Sequence, residues 1–116
     1  RGAGAPRLNL EKPASVLNEA ASRGDVSSIA TLLTHGIEIN CQDYDYRTAM
    51  HMAAAEGNLR VVEYMISRLA DVNAKDRWNR TPIDDAITNQ RSLVTHLLYR
   101  SGSRPRARGL AERLCH

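Results

Sequence analysis

Phenylalanine is absent from this chain, tryptophan occurs once and tyrosine four times. A thick aromatic core is thereby excluded. The 42% of apolar residues rests on Ala, Leu, Val and Ile, which suits thin layers of small helices. Cysteine is scarce as well. Cys41 and Cys115 lie far apart with no C-x-x-C spacing, so neither a disulfide framework nor a zinc site is indicated, and a reducing interior is the expected setting. No uncharged apolar run approaches the roughly 20 residues that cross a bilayer. The chain opens on Arg1 rather than Met, and it reads as a soluble fragment of something larger.

What is present is modest and unevenly charged. A chain of 116 residues has room for about one domain. Residues 100–116 hold five arginines against Glu112, whereas residues 1–99 hold eleven basic and twelve acidic residues. The body is close to neutral and the tail is basic.

Sliding the sequence against itself by 33 positions aligns three segments that begin at Ser15, Thr48 and Thr81. Leu17 then meets Met50 and Ile83, and Ala20 and Ala21 meet Ala53 and Ala54. Gly24 meets Gly57, Asn40 meets Asn73, Asp43 meets Asp76, and Gly36 meets Leu69 and Gly102. Each segment reads as a short helix, a tight glycine turn, a second helix and a polar finger of about a dozen residues. The periodicity predicts helices near 14–22 and 26–34, 49–56 and 59–67, 82–88 and 92–99. Isolated helices shorter than about 12–15 residues are marginal in water. These must stack on copies of themselves, with alanine pairs permitting close approach and Leu17, Met50 and Ile83 filling the seam.

The strings "TAMHMAAAEGNLRVVEYMI" and "ADVNAKDRWNRTPIDDA" at this period resemble the ankyrin repeat, whose signature is T-P-L-H-x-A. The resemblance covers residues 15–102. It implies an all-α solenoid of three helix-turn-helix units, residues 15–47, 48–80 and 81–102, with hairpin-like fingers projecting at right angles. The expected organisation is a flank at 1–13, a module at 14–102 and a basic tail at 103–116. Several positions depart from the pattern. Only Pro82 keeps the signature proline, and Asn18 and Asp84 stand where the second unit has His51. Leu69 occupies a helix end that favours glycine, so a strained or rearranged turn is expected at 68–71. Tyr46 likewise replaces a finger glycine. Asn18, Glu19 and Ser22 in the first unit, and "AITNQRSLVTH" in the third, give the end units a polar character that fits terminal caps.

Candidate chemistry is sparse. Thr48 and His51, at i and i+3, read as a helix cap rather than a catalytic pair. Ser92 and His96 lie one turn apart on a surface helix. His35, His51, His96 and His116 lack paired ligand spacing, so no metal or other cofactor is expected. "RGAGAPR" has Arg7 where a phosphate loop needs glycine. Asp43 and Asp76 recur at the repeat period and read as turn formers. No catalytic residue is assigned, and the chain reads as non-enzymatic.

Surface recognition remains. Tyr44, Asp45, Tyr46 and Arg47 on one finger, and Arg77, Trp78, Asn79 and Arg80 on the next, concentrate the residue types that dominate binding hot spots. On the concave side the first helices are expected to expose Glu19, Arg23, Met52, Ala55, Glu56, Asp85 and Thr88. Of these, Met52, Glu56 and Asp85 join the finger residues as candidate partner contacts. The strings "QDYDYRTAMHMAAAEGN" and "KDRWNRTPIDDA" are similar to the C-terminal repeats of glutaminases and to repeats ahead of plant integrin-linked-type Raf-like kinase domains. The resemblance implies a protein partner, or a catalytic domain elsewhere in a parent chain whose assembly the module regulates. Nucleic acid is not favoured as a partner. The expected location is intracellular, in the cytoplasm, or in mitochondria should the parent be a glutaminase.

Overall fold

The computed structural model describes residues 12–105. Six helices follow one another: α1 Pro13–Arg23, α2 Val26–Thr34, α3 Ala49–Glu56, α4 Leu59–Ser67, α5 Pro82–Thr88 and α6 Ser92–Arg100. No strand occurs among the described residues. The first helices form one layer, with α3 packed between α1 and α5, and the second helices form another. Leu17, Met50 and Ile83 are all buried, and a single apolar cluster runs from Leu17 to Leu98 through all three units.

Local chemistry marks four of the six helix starts. Pro13 and Pro82 take the first turns of α1 and α5, where the missing N–H costs nothing. Asp25 caps α2, its carboxylate accepting from Ser28 N at 3.1 Å and Ser28 Oγ at 2.7 Å. Those hydrogen bonds hold the Asp25 carboxyl below its ordinary pKa. The cap is therefore complete above the usual carboxylate range and fades as pH falls through the lowered value. Thr48 and His51 form a reciprocal capping box on α3. On α5, Asp84 does the same work, its Oδ2 accepting from Thr81 N at 2.8 Å.

Adjacent units interlock at the first-helix ends. Asn58 Nδ2 donates to the Ala21 and Ser22 carbonyls at 3.0 Å each, and one repeat later Arg91 Nε donates to the Ala55 carbonyl at 3.0 Å. These side chains satisfy carbonyls that a helix leaves open, and they explain the turn glycines. Gly57 has φ +75, and a Cβ there would lie 2.7 Å from Arg91 Cδ.

The turn at 68–71 retains the geometry of its glycine-bearing counterparts. Leu69 adopts φ 65, and Ala70 N donates to Met65 O at 3.0 Å, matching Ile37 N to Leu32 O at 3.2 Å. The expected alternative of rearrangement is not taken; the backbone bears the left-handed conformation instead. Two other expectations are corrected. Asn18, expected to present a polar end-unit surface, is buried and donates to Asp43 Oδ2 and the Arg47 carbonyl, both at 3.3 Å. The packing also continues past 102. Buried Ser103 donates through Oγ to Val72 O at 2.6 Å, and Arg104 N donates to Asn73 Oδ1 at 2.8 Å, as Asp71 N does to Asn40 Oδ1 at 2.7 Å.

Leu69 is 86% exposed, so its side chain loses little by removal while its backbone is relieved. Leu69→Gly is expected to raise the unfolding free energy by about 1 kcal/mol, and Gly57→Ala to lower it by roughly 1–2 kcal/mol. Urea titrations of the two variants against the parent check both signs.

Candidate partner-binding site

Each finger is folded by one aspartate. Asp43 Oδ1 accepts from Asp45 N and Arg47 N at 2.9 Å each, and Asp76 Oδ1 accepts from Trp78 N and Arg80 N at the same distance. The backbone closes identically, Asp43 N to Arg47 O and Asp76 N to Arg80 O, both 3.0 Å. Tyr46 and Asn79 take the left-handed corner at φ 63 and 66. Both carboxylates are thus committed to turn formation, and the fingers are tight turns rather than paired strands.

Arg77 stitches the two tips together. Its N–H donates to the Asp45 carbonyl at 2.6 Å, Nη2 to the Tyr44 carbonyl at 2.8 Å, and Nε lies 3.4 Å from Asp45 Oδ1. Gln42, which the sequence reading passed over, adds bonds to Tyr46 O at 2.8 Å and Lys75 O at 3.2 Å. Its signal was its place opposite Lys75 in the repeat register. On this brace Tyr44, Tyr46 and Trp78 stand 80%, 55% and 53% exposed. A groove of about 480 Å³ on the open flank of the first finger is lined by Pro13, Ala14, Cys41, Tyr44 and Tyr46. Burial, with Glu38 adding to it, pushes the Cys41 thiol above its usual pKa, which disfavours the reactive thiolate.

Of the concave residues, Met52 is half-buried and Glu56 exposed, but Asp85 is not an exposed groove residue. It is 6% exposed, covered by two arginines from different fingers. Arg47 Nη2 lies 3.3 Å from Oδ2 and Arg80 Nη2 3.0 Å from Oδ1. Asp85 occupies the register position of Met52, so the site that is apolar in the second unit becomes ionic in the third. The finger arginines 33 residues apart mark the partnership in the sequence, but the carboxylate between them was not recognisable as buried.

His51, Asp76 and Asp85 place potential ligand atoms within 4.8 Å of one another. His51 Nδ1 faces Thr48 N at 3.1 Å and must accept there, so Nε2 carries the proton and donates to Arg80 O at 2.9 Å. Neither imidazole nitrogen has a lone pair left for a cation. Asp76 is held by its turn and Asp85 by its arginines. The cluster is a structural joint between helix α3, helix α5 and the second finger.

Two outcomes follow from this joint. His51→Ala should cost roughly 2–3 kcal/mol of stability, since it strips buried partners from Thr48 N and Arg80 O, while added zinc should leave the melting temperature of the parent unchanged. Burial raises the Asp85 carboxyl above its ordinary pKa, against the opposing charges of Arg47 and Arg80. The folded state then holds the proton more tightly than the unfolded chain. Its contribution is complete below the unfolded carboxylate pKa of about 4 and is lost as pH rises through the raised folded value. Asp85→Asn should flatten that decline in unfolding free energies measured against pH.

A family model described as ankyrin repeats, three copies, matches residues 17–108. Serine/threonine-protein kinase 12 of Arabidopsis thaliana is 42% identical over 84 residues, which cover 72% of this chain and 18% of that protein. Putative glutaminase 3 of Caenorhabditis elegans is 47% identical over 68 residues, 58% of this chain and 12% of that protein. Potassium channel SKOR of Arabidopsis thaliana is 37% identical over 88 residues, 76% of this chain and 11% of the channel. The chain therefore spans less than a fifth of each of these relatives. A kinase and a glutaminase are both among them, as the sequence strings led one to expect. No described helix is long and apolar enough to cross a membrane. Ankyrin repeats are protein-interaction modules, and with its matched register, its stacked helix pairs and its two aspartate-folded fingers, this chain belongs to the ankyrin-repeat family.

Proposed function

We infer that this module binds a protein partner through the tips of its two fingers, Tyr44, Asp45, Tyr46 and Arg47 with Arg77, Trp78, Asn79 and Arg80, and through the adjoining concave positions Met52 and Glu56. Asp85 serves the surface from beneath, by holding Arg47 and Arg80. The observation that carries the reading is the exposure of Tyr44, Tyr46 and Trp78 on tips already cross-linked by Arg77. Large rings exposed to this degree are available to a partner, and a braced loop loses little further entropy on binding. An intracellular setting accords with the free half-buried Cys41.

A second reading is favoured by the similarity to glutaminases and to a kinase, each of which exceeds this chain severalfold in length. The partner is then a catalytic domain of the same parent protein, and the module governs its assembly or kinetics. Deleting residues 15–102 from such a parent is expected to change its turnover or oligomeric state; indifference in both counts against this version. The basic tail lies mostly outside the described residues and enters neither reading.

For the primary reading, Trp78→Ala or Tyr44→Ala is expected to weaken partner capture about tenfold or more, while the melting temperature shifts by no more than a surface substitution allows. A large fall in stability with unchanged capture would reassign the rings to scaffold support.

A further inference from the structure

The finger reading leaves open what chemistry the surface prefers, and the arginines beneath the tips bear on it. Arg47 and Arg80 come from different fingers yet share one carboxylate, that of Asp85. Each guanidinium carries five N–H donors. Arg47 uses one nitrogen, on Asp85, while Arg80 uses one nitrogen on Asp85, Thr88 Oγ1 and the Asp84 carbonyl. The buried Nε of each has no partner among the described residues. Asp76, the other carboxylate nearby, has its Oδ1 occupied by two backbone N–H groups. The arginine pair is therefore short of acceptors, and both side chains remain 28% exposed toward solvent.

The other charges of the two fingers point the same way. Lys75 is exposed at the base of the second finger. Asp45, the exposed carboxylate of the tips, is already bridged to Arg77. A ligand approaching fingers one and two thus meets the heads of Arg47, Arg80 and Lys75, with the Asp85 and Asp45 carboxylates already engaged and the exposed rings of Tyr46 and Trp78 on the same two fingers. Each carboxylate it supplies would complete a charge-assisted pair at a planar guanidinium, and each apolar side chain would find Tyr46 or Trp78.

Resting on the finger-tip reading, we propose that the partner presents an acidic extended peptide segment, whose carboxylates dock on Arg47, Arg80 and Lys75 and whose apolar side chains lie on Tyr46 and Trp78. A backbone fixed by turns at Asp43 and Asp76 offers this segment a preformed bed. The charge arrangement argues against a basic ligand.

Trp78 is the sole tryptophan of the chain, so its fluorescence reports on this surface alone. The full 116-residue chain is titrated with a glutamate- and leucine-bearing synthetic peptide, with the same peptide carrying lysine for glutamate, and with inorganic phosphate. A saturable change is expected for the glutamate peptide only, weakening with added salt and falling about tenfold in affinity in Arg80→Gln. Lys75→Glu, at an exposed position with no part in the core, should weaken it as well and guards against a variant that merely misfolds. Equal responses to both peptides, a response to phosphate matching that of the peptide, or indifference to Lys75→Glu overturns the proposal. Should Trp78→Ala abolish partner capture while the glutamate peptide gives no signal, the finger surface stands and only its acidic preference falls.

Discussion

Helices of seven to eleven residues have no stable existence of their own, because the cost of nucleating a turn is not recovered over so short a length. Everything in this molecule depends on the seam through which one helix pair covers the next. Leu17, Met50 and Ile83 lie in that seam, the alanine pairs at 20–21 and 53–54 let the inner helices close on it, and no unit owns a core that is not shared with its neighbour. The hydrogen bonds between units are arranged to fix register rather than to supply the bulk of the stability. Asn58 and Arg91 reach back to the helix ends of the preceding unit, and Asn40 and Asn73 reach forward to the backbone of the following one. A slip of one residue would leave all four without partners.

Much of this was legible in the sequence because the determinants repeat. A turn glycine after α1 and α3, a capping threonine before α3 and α5 and an aspartate in each finger recur at a constant interval, and the observed helices fall within a residue or so of the spans read from the period. What the period could not convey is which side chains meet when two aligned positions differ. Asn18 and Asp84 replace a histidine, and on composition alone Asn18 reads as end-cap polarity; in place, Asn18 makes the bond to the finger carbonyl that His51 makes one unit later. Asp85 replaces a half-buried methionine and looks exposed until the arginines of two separate fingers are seen to close over it. Such pairings depend on three segments converging in space, and a one-dimensional register carries no information on a convergence that occurs only once.

The left-handed residues show how function and stability divide between similar turns. Among the described residues four that are not glycine, Tyr46, Leu69, Asn79 and Gln90, take positive φ. Asn79 is a mild case, since asparagine tolerates this region. Tyr46 is not, yet its ring lies exposed on the tip that Arg77 braces, within the binding surface proposed above. Strain retained at a recognition loop is a familiar outcome of competing demands. Leu69, at the end of α4 and outside either finger, carries the same strain with an exposed side chain and no comparable use.

The buried ionic joint ties these themes together. An apolar residue at position 85 would satisfy the seam and spare the desolvation of a carboxylate, and buried ion pairs are often no more stabilising than the hydrophobic groups that could replace them. Their advantage is direction. Asp85 draws Arg47 and Arg80 toward a single point, so the two fingers are fixed to each other at their bases by this carboxylate and at their tips by Arg77. Restraint at both ends converts two short loops into one rigid surface. For the finger-tip surface proposed above, that rigidity limits the entropy lost on binding, and it gives a physical reason for a charge at position 85 where the second unit has methionine.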